Sequence, residues 1–182
     1  RKKGRNEHWR HLALAGPLDA ETQPWPSPIH EAYPEILARR GRPTCILATG
    51  DPFHYGIGAE IARLVPADEI RAFPQPSAFS LACARLGWAQ HEVPLVSLVA
   101  DPQHDPIPAL AGGRAIVYVA GRSGARRLAA LLRAAGLGGA ELIILEHLGG
   151  QTERERRVSA AEFDEDLGPL HLVAVDSRAI AG

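Results

Sequence analysis

The sequence predicts a mixed α/β fold in both of its halves, and three observations predict it. Short apolar runs of strand length recur along the chain, at Cys45–Ala48, Val96–Val99, Ala115–Ala120, Glu141–Glu146 and His171–Val175. Helical patterns stand between many of them, and turn residues separate the two kinds. In Thr44–Gly58, TCILATGDPFHYGIG, an apolar run stops abruptly at Gly50-Asp51-Pro52, with further glycines at Gly56 and Gly58.

Taken in order, His11–Ala15 reads as a short strand, Leu18–Pro34 as a proline-rich connection around Trp25-Pro26-Ser27-Pro28, and Glu35–Arg40 as a short helix. Cys45–Ala48 has the apolar continuity of a strand buried on both faces, as parallel strands are. Loops at the carboxyl ends of such strands are where α/β folds bind ligands. Glycines there admit close backbone approach, Asp51 can accept hydrogen bonds, and Pro52 stiffens the turn. A tight connection without a ligand explains the same residues. No lysine follows the glycines as a P-loop requires, and no GxGxxG opens a helix.

A helix over Ala59–Val65 and a strand over Glu69–Phe73 come next, then a helix over Ala78–Leu86 with Ser77 as its N-cap and Gly87 closing it. After the strand at Val96–Val99, the stretch ADPQHDPIPALAGG is a proline- and glycine-rich linker, 100–113, dividing a subdomain 1–99 from a subdomain 114–182. The second subdomain reads as strand Ala115–Ala120, helix Gly124–Ala135, strand Glu141–Glu146, a polar connection GGQTERERR and a last strand His171–Val175. Gly121 and Gly124 sit where a phosphate-binding turn would have them, and a tight strand-to-helix connection explains them better.

Composition narrows the function classes. A chain of 182 residues with 46% hydrophobic residues and net charge −1 describes a globular protein without polyelectrolyte character, so nucleic acid is not the expected partner. No apolar stretch approaches a membrane span, and RKKGRNEHWRHLALAG lacks the apolar core of a signal peptide. Cys45 and Cys83 read as small core residues, which fits a reducing cytoplasm. No metal site is expected: Asp101, His104 and Asp105 lie in the linker without a regular ligand frame. The chain begins at Arg1 and has no methionine, so it reads as part of a longer product.

Four segments in order, GDPFHYGIG, PQPSAFSLACARLG at Pro74–Gly87, VSL at Val96–Leu98 and ILEHLGGQTERE at Ile144–Glu155, resemble the tetrapyrrole methylase family. The second and fourth look most like its members that methylate C5 of a precorrin in cobalamin (vitamin B12) biosynthesis. The resemblance implies two α/β subdomains with a cofactor cleft between them, S-adenosylmethionine as cofactor, a tetrapyrrole substrate with several carboxylates, and a homodimer.

Position by position, it implies that Thr49, Gly50, Asp51, His54, Tyr55, Gly56, Ser77, Ala78, Val119, Ala120, His147 and Leu148 bind the cofactor. No residue is implied as a catalytic acid or base. Arg85, Arg122, Arg126, Arg154, Arg156 and Arg157 are candidate partners for substrate carboxylates. The sequence departs from the family in two places. Before Arg10 it has neither the strand ending in a GxG loop nor the helix with which members open, and VSL is followed by Val99-Ala100-Asp101 where they have His-Gly. A non-catalytic module that keeps the fold is therefore the alternative, and diphthine synthase is a rival within the family.

Overall fold

The computed structural model of the chain describes residues 23–99, 101–168 and 170–178. The strand expected at His11–Ala15 lies outside them. Two compact units divide between Ser77 and Ala78, so the 100–113 linker falls inside the second unit.

The first unit, up to Ser77, is built from short helices joined by long connections. A 3-10 turn at Ile29–Ala32 runs into α1 (Tyr33–Ala38), whose Pro34 occupies the first turn, where a missing N–H costs nothing. Helix α2 (Ile57–Ile61) follows the glycine loop, and another 3-10 turn spans Ala67–Glu69. Arg40 reaches across to Glu69, its Nε 2.8 Å from Oε2.

Two sequence expectations fail here. Cys45–Ala48 is not a buried strand: it has no ladder partner among the described residues, Cys45 is exposed, and Ile46–Ala48 are half-buried. Glu69–Phe73 forms no strand either, and Phe73 is 70% exposed. An apolar run becomes a central strand only where neighbours supply its hydrogen bonds, and no described residue of this unit does so.

The second unit is a three-layer α/β arrangement around a five-stranded sheet ordered β1-β2-β5-β3-β4. The strands are β1 (Leu95–Ser97), β2 (Arg114–Tyr118), β3 (Glu141–Glu146), β4 (Arg154–Ser159) and β5 (His171–Asp176). β1 pairs parallel with β2, while β5 runs antiparallel to both β2 and β3. β1, β2 and β3 therefore point the same way, and their carboxyl ends share one edge of the sheet.

Period-two alternation separates the faces. Ile116, Ile143, Leu145, Leu172 and Ala174 pack with Ala82 and Cys83 of helix α3 (Ala78–Leu86), together with Trp88. Ala115, Val117, Leu142, Ile144, Val173 and Val175 pack on the other side against helix α4 (Gly124–Ala134) and Phe163. α4 turns Ala125, Leu128, Ala129 and Leu132 inward, a stripe at helical spacing with no solvent exposure. Each such buried leucine contributes about 1.5–3 kcal/mol. The sheet's far end is tied by Asp176, which accepts from Arg178 (2.7 Å) and from Arg114 (3.1 Å), itself stacked on Trp88. The Arg178 guanidinium, with help from Arg114, holds the Asp176 carboxyl well below the usual carboxylate range.

Strand β4 corrects the reading of GGQTERERR as a polar connection. Arg154–Ser159 pairs with β3 along its whole length, from Glu146↔Arg154 to Glu141↔Ser159. It is one of the two edge strands, and its charges blunt that free edge. Arg157 pairs with Glu141 across the ladder at 3.2 Å, and Arg156 stacks over Phe163.

Candidate functional site

In the first unit the glycine loop is a compact turn held by its own backbone. The Asp51 carboxylate accepts the Phe53 amide (2.8 Å), the Asp51 carbonyl accepts from His54 (3.1 Å), and the Pro52 carbonyl accepts from Gly58 at the start of α2 (2.8 Å). Gly50 has φ +57, and a Cβ there would lie 3.0 Å from the Pro76 carbonyl oxygen and 3.5 Å from Ser77 Cα. The loop and Ser77 are thus neighbours, with the Gln75 amide on the Gly50 carbonyl at 3.1 Å. Ser77 is buried, whereas Thr49 and Tyr55 are exposed and Asp51, His54 and Gly56 lie between.

In the second unit the remaining sequence candidates gather at the edge where β1, β2 and β3 end. Val119 and Ala120 follow β2, and His147 and Leu148 follow β3. Continuing the β2–β5 register by two residues sets Val119 level with His171, which pairs with Glu146. Ala78 opens α3, and the next residue, Phe79, donates its amide to the Tyr118 hydroxyl at 2.8 Å, which brings the start of α3 to that edge. Leu148 packs against the α3-side core. Gly124 admits the close approach of α4 to β2, since a Cβ there would lie 2.8 Å from Val119 Cβ, so the tight-connection reading accounts for it.

Backbone strain is placed in the same loops. Tyr55 (φ 54) and His147 (φ 53) are the non-glycine residues with positive φ among those described, a conformation that persists only where the surroundings impose it.

His171 was not among the sequence candidates. Its Nδ1 lies 2.6 Å from the Gly168 carbonyl, which only accepts, so Nδ1 bears the proton in the neutral ring. Burial lowers the pKa of this imidazole, against the opposing pull of the Gly168 hydrogen bond and the Glu146 charge. Because the folded state favours the neutral ring, the stability gained is present above the ordinary value of 6.5 and is lost as pH falls through the lowered folded one. The parent is therefore expected to lose more thermal stability than His171→Gln between about pH 7.5 and 5.5. Parallel pH profiles of Tm for the two proteins would contradict this.

Among the candidate arginines, five are paired with carboxylates of the chain itself. Arg85 holds Glu153 (Nη2–Oε2 3.0 Å), Arg126 holds Asp166 (3.2 Å), and Arg154 lies 3.8 Å from Glu146. Arg156 holds Glu165 (2.7 Å) and Arg157 holds Glu141 (3.2 Å). Arg122, two residues beyond Ala120, is exposed and in no ion pair among the described residues.

Residues 13–164 match the profile of the tetrapyrrole (corrin/porphyrin) methylases. The chain belongs to this family. It is 42% identical over 95% of its length to a precorrin-6Y C(5,15)-methyltransferase (decarboxylating) of Sinorhizobium, and 29% identical over 93% to a cobalt-precorrin-7 C(5)-methyltransferase of Salmonella typhimurium. The chain spans 43% of the first relative's length and 84% of the second's. Among solved structures, the uroporphyrin-III C-methyltransferase of Thermus thermophilus, complexed with S-adenosylhomocysteine, superposes with a TM-score of 0.69 at 21% identity. That match covers 95% of this chain and 83% of the other. The precorrin-6Y methylase of Archaeoglobus fulgidus gives 0.64 at 24%, covering 92% and 80%. These methylase structures share the mixed α/β fold of the chain, and no helix among the described residues is long and apolar enough to cross a membrane.

Proposed function

We propose that this chain is an S-adenosylmethionine-dependent C-methyltransferase acting on C5 of a precorrin in cobalamin biosynthesis. The observation that carries the reading is its 42% identity, over 95% of the chain, to a relative named for methylation at C5 and C15, and the match over 84% of a second relative named for C5 alone favours C5. The site geometry fits the cofactor. Gly50 and Gly56 let the loop close tightly on itself, since a Cβ at either would press on the chain's own backbone atoms, at 3.0 Å and 2.6 Å, and Val119, Ala120 and Leu148 give the ends of β2 and β3 a small, apolar border. An amino acid head, a ribose and an adenine need backbone donors and an apolar slot rather than a phosphate cradle.

On the family resemblance, Thr49, Gly50, Asp51, His54, Tyr55, Gly56, Ser77, Ala78, Val119, Ala120, His147 and Leu148 would hold the cofactor. The cofactor supplies an already activated methyl group whose leaving thioether is neutral. The protein's task is therefore to align and to exclude water, without a dedicated acid or base. Asp51 acts by shaping its turn, since its carboxylate is already engaged by the Phe53 amide. Arg122 is the arginine best placed to meet a substrate carboxylate, because the other candidates are committed within the chain. We assign the chain to the cytoplasm and to a homodimer on the same family grounds.

Calorimetric titration with S-adenosylhomocysteine tests the reading. The parent should bind saturably and an Asp51→Ala, Ser77→Ala double variant should lose at least about tenfold in affinity, the worth of one or two hydrogen bonds. A folded parent that does not bind would overturn it in favour of a non-catalytic module.

A further inference from the structure

The turn that follows β3 is strained at His147 and closes on itself, with the Gly150 amide donating to the His147 carbonyl at 2.9 Å. Gly149 takes the third position with φ +76, which glycine adopts without strain. Its amide does not point into solvent unpaired: it donates to Glu153 Oε2 at 2.6 Å. The same carboxylate is gripped by Arg85 through both Nε and Nη2, the latter at 3.0 Å. Arg85 lies in the last turn of α3, and Leu81 of the same helix stands 3.2 Å from where a Cβ on Gly149 would be. At its other end α3 holds the close of β2, through the Phe79 amide and the Tyr118 hydroxyl. One helix therefore braces both loops at the carboxyl edge of the sheet, and Glu153 is its only link by side-chain hydrogen bond to the His147–Gly150 turn among the described residues.

We propose that Glu153 is a positioning residue for cofactor binding: its carboxylate holds the Gly149 amide and so keeps His147 and Leu148 in the left-handed turn the cofactor meets. The proposal rests on the cofactor reading above. Geometry separates it from a mere surface ion pair. Arg85 is 45% exposed in its side chain and Glu153 only 23%, and an exposed pair by itself contributes little. The weight falls on the hydrogen bond from the backbone, a charge-assisted bond of the stronger kind. Both groups favour the charged carboxylate, Arg85 most and the Gly149 amide next, so the Glu153 carboxyl sits below its ordinary range.

The test compares Glu153→Ala, Glu153→Gln and Arg85→Ala with the parent by calorimetric titration with S-adenosylhomocysteine, and follows the Gly149 amide proton by NMR. Loss of one charge-assisted hydrogen bond predicts about a tenfold weaker affinity in Glu153→Ala. Glu153→Gln keeps an acceptor for the amide and should recover to within about threefold, and Arg85→Ala should also stay within about threefold. In the parent the Gly149 amide proton should be shifted downfield, and it should move upfield in Glu153→Ala before any ligand is added. Parent-like affinity in Glu153→Ala would overturn the proposal alone, as would equal losses in Arg85→Ala and Glu153→Ala, or a Gly149 proton indifferent to the substitution. Absence of binding by the folded parent would overturn the cofactor reading and this proposal with it. Should Glu153→Ala fail to fold, Glu153→Ser, whose shorter side chain also takes the carboxylate from the Gly149 amide, is read by the same titration and the same amide proton, with the same expected loss.

Discussion

Gly56→Ala is expected to weaken S-adenosylhomocysteine binding by more than about tenfold, and the reason is space rather than conformation. Gly56 has φ −115 and ψ 173, extended values open to alanine. Yet the added Cβ would lie 2.6 Å from the Pro52 carbonyl oxygen, 2.9 Å from its carbon and 3.0 Å from the Asp51 carbonyl oxygen. All three are backbone atoms of the turn under test, so no flexible side chain can give way. Relief requires opening the turn, which breaks the Gly58 amide to Pro52 carbonyl bond of 2.8 Å and displaces Asp51. Overpacking of this kind costs about 1–3 kcal/mol, and here the displaced atoms are the proposed binding surface. Gly112→Ala is the control, because a Cβ there meets nothing within 4 Å. Calorimetry should show Gly112→Ala binding like the parent. Parent-like binding by Gly56→Ala would remove this loop from the site.

Phe163→Ala is expected to destabilise the chain by about 3–5 kcal/mol, the usual range for truncating a buried phenylalanine. The ring is 1% exposed and belongs to the core cluster with Leu128 and Leu132 of α4. No strand or helix contains it; its segment is fastened by Arg133, whose Nη1 donates to the Ala160 carbonyl at 2.8 Å and the Phe163 carbonyl at 2.9 Å. Those bonds survive the substitution, so the gap has little means to collapse and the Arg156 guanidinium loses the ring it stacks on. Against a total stability of about 5–15 kcal/mol this is a large fraction. Urea unfolding should show a lower midpoint with an unchanged slope. A loss below about 1 kcal/mol would show that the core repacks around the site.

The second unit was more legible in the sequence than the first, for physical reasons. Ala78–Leu86 and Glu141–Glu146 form with the bounds their patterns predict. Each buries one stripe or both faces within its own unit, so local pattern and tertiary packing agree. Cys45–Ala48 has an equally apolar pattern, but a strand is a property of two chains of hydrogen bonds and its own segment holds only one. β4 was hidden for the opposite reason. An edge strand written Arg154-Glu155-Arg156-Arg157 shows no apolar alternation, because its stability comes from pairing with β3.

The candidate site divides along the same line. Gly50 and Gly56 could be read as the tight points of the proposed ligand loop because a side chain there would collide with the loop's own backbone, and glycine is visible in one dimension. Glu153 and His171 could not. The proposed role of Glu153 depends on a positive φ at Gly149 that folds the turn back on it, and His171 comes opposite Glu146 only through the β3–β5 register. The arginines were visible as a set, but sorting them required the carboxylates that occupy five of the six.

Methyl transfer to C5 is measured most directly in a reaction with S-adenosylmethionine carrying a carbon-13-labelled methyl group and a precorrin unmethylated at C5, followed by carbon NMR. One labelled methyl per ring is expected at C5, formed together with an equal amount of S-adenosylhomocysteine. A chain that binds S-adenosylhomocysteine saturably yet leaves the label entirely on the donor would contradict it.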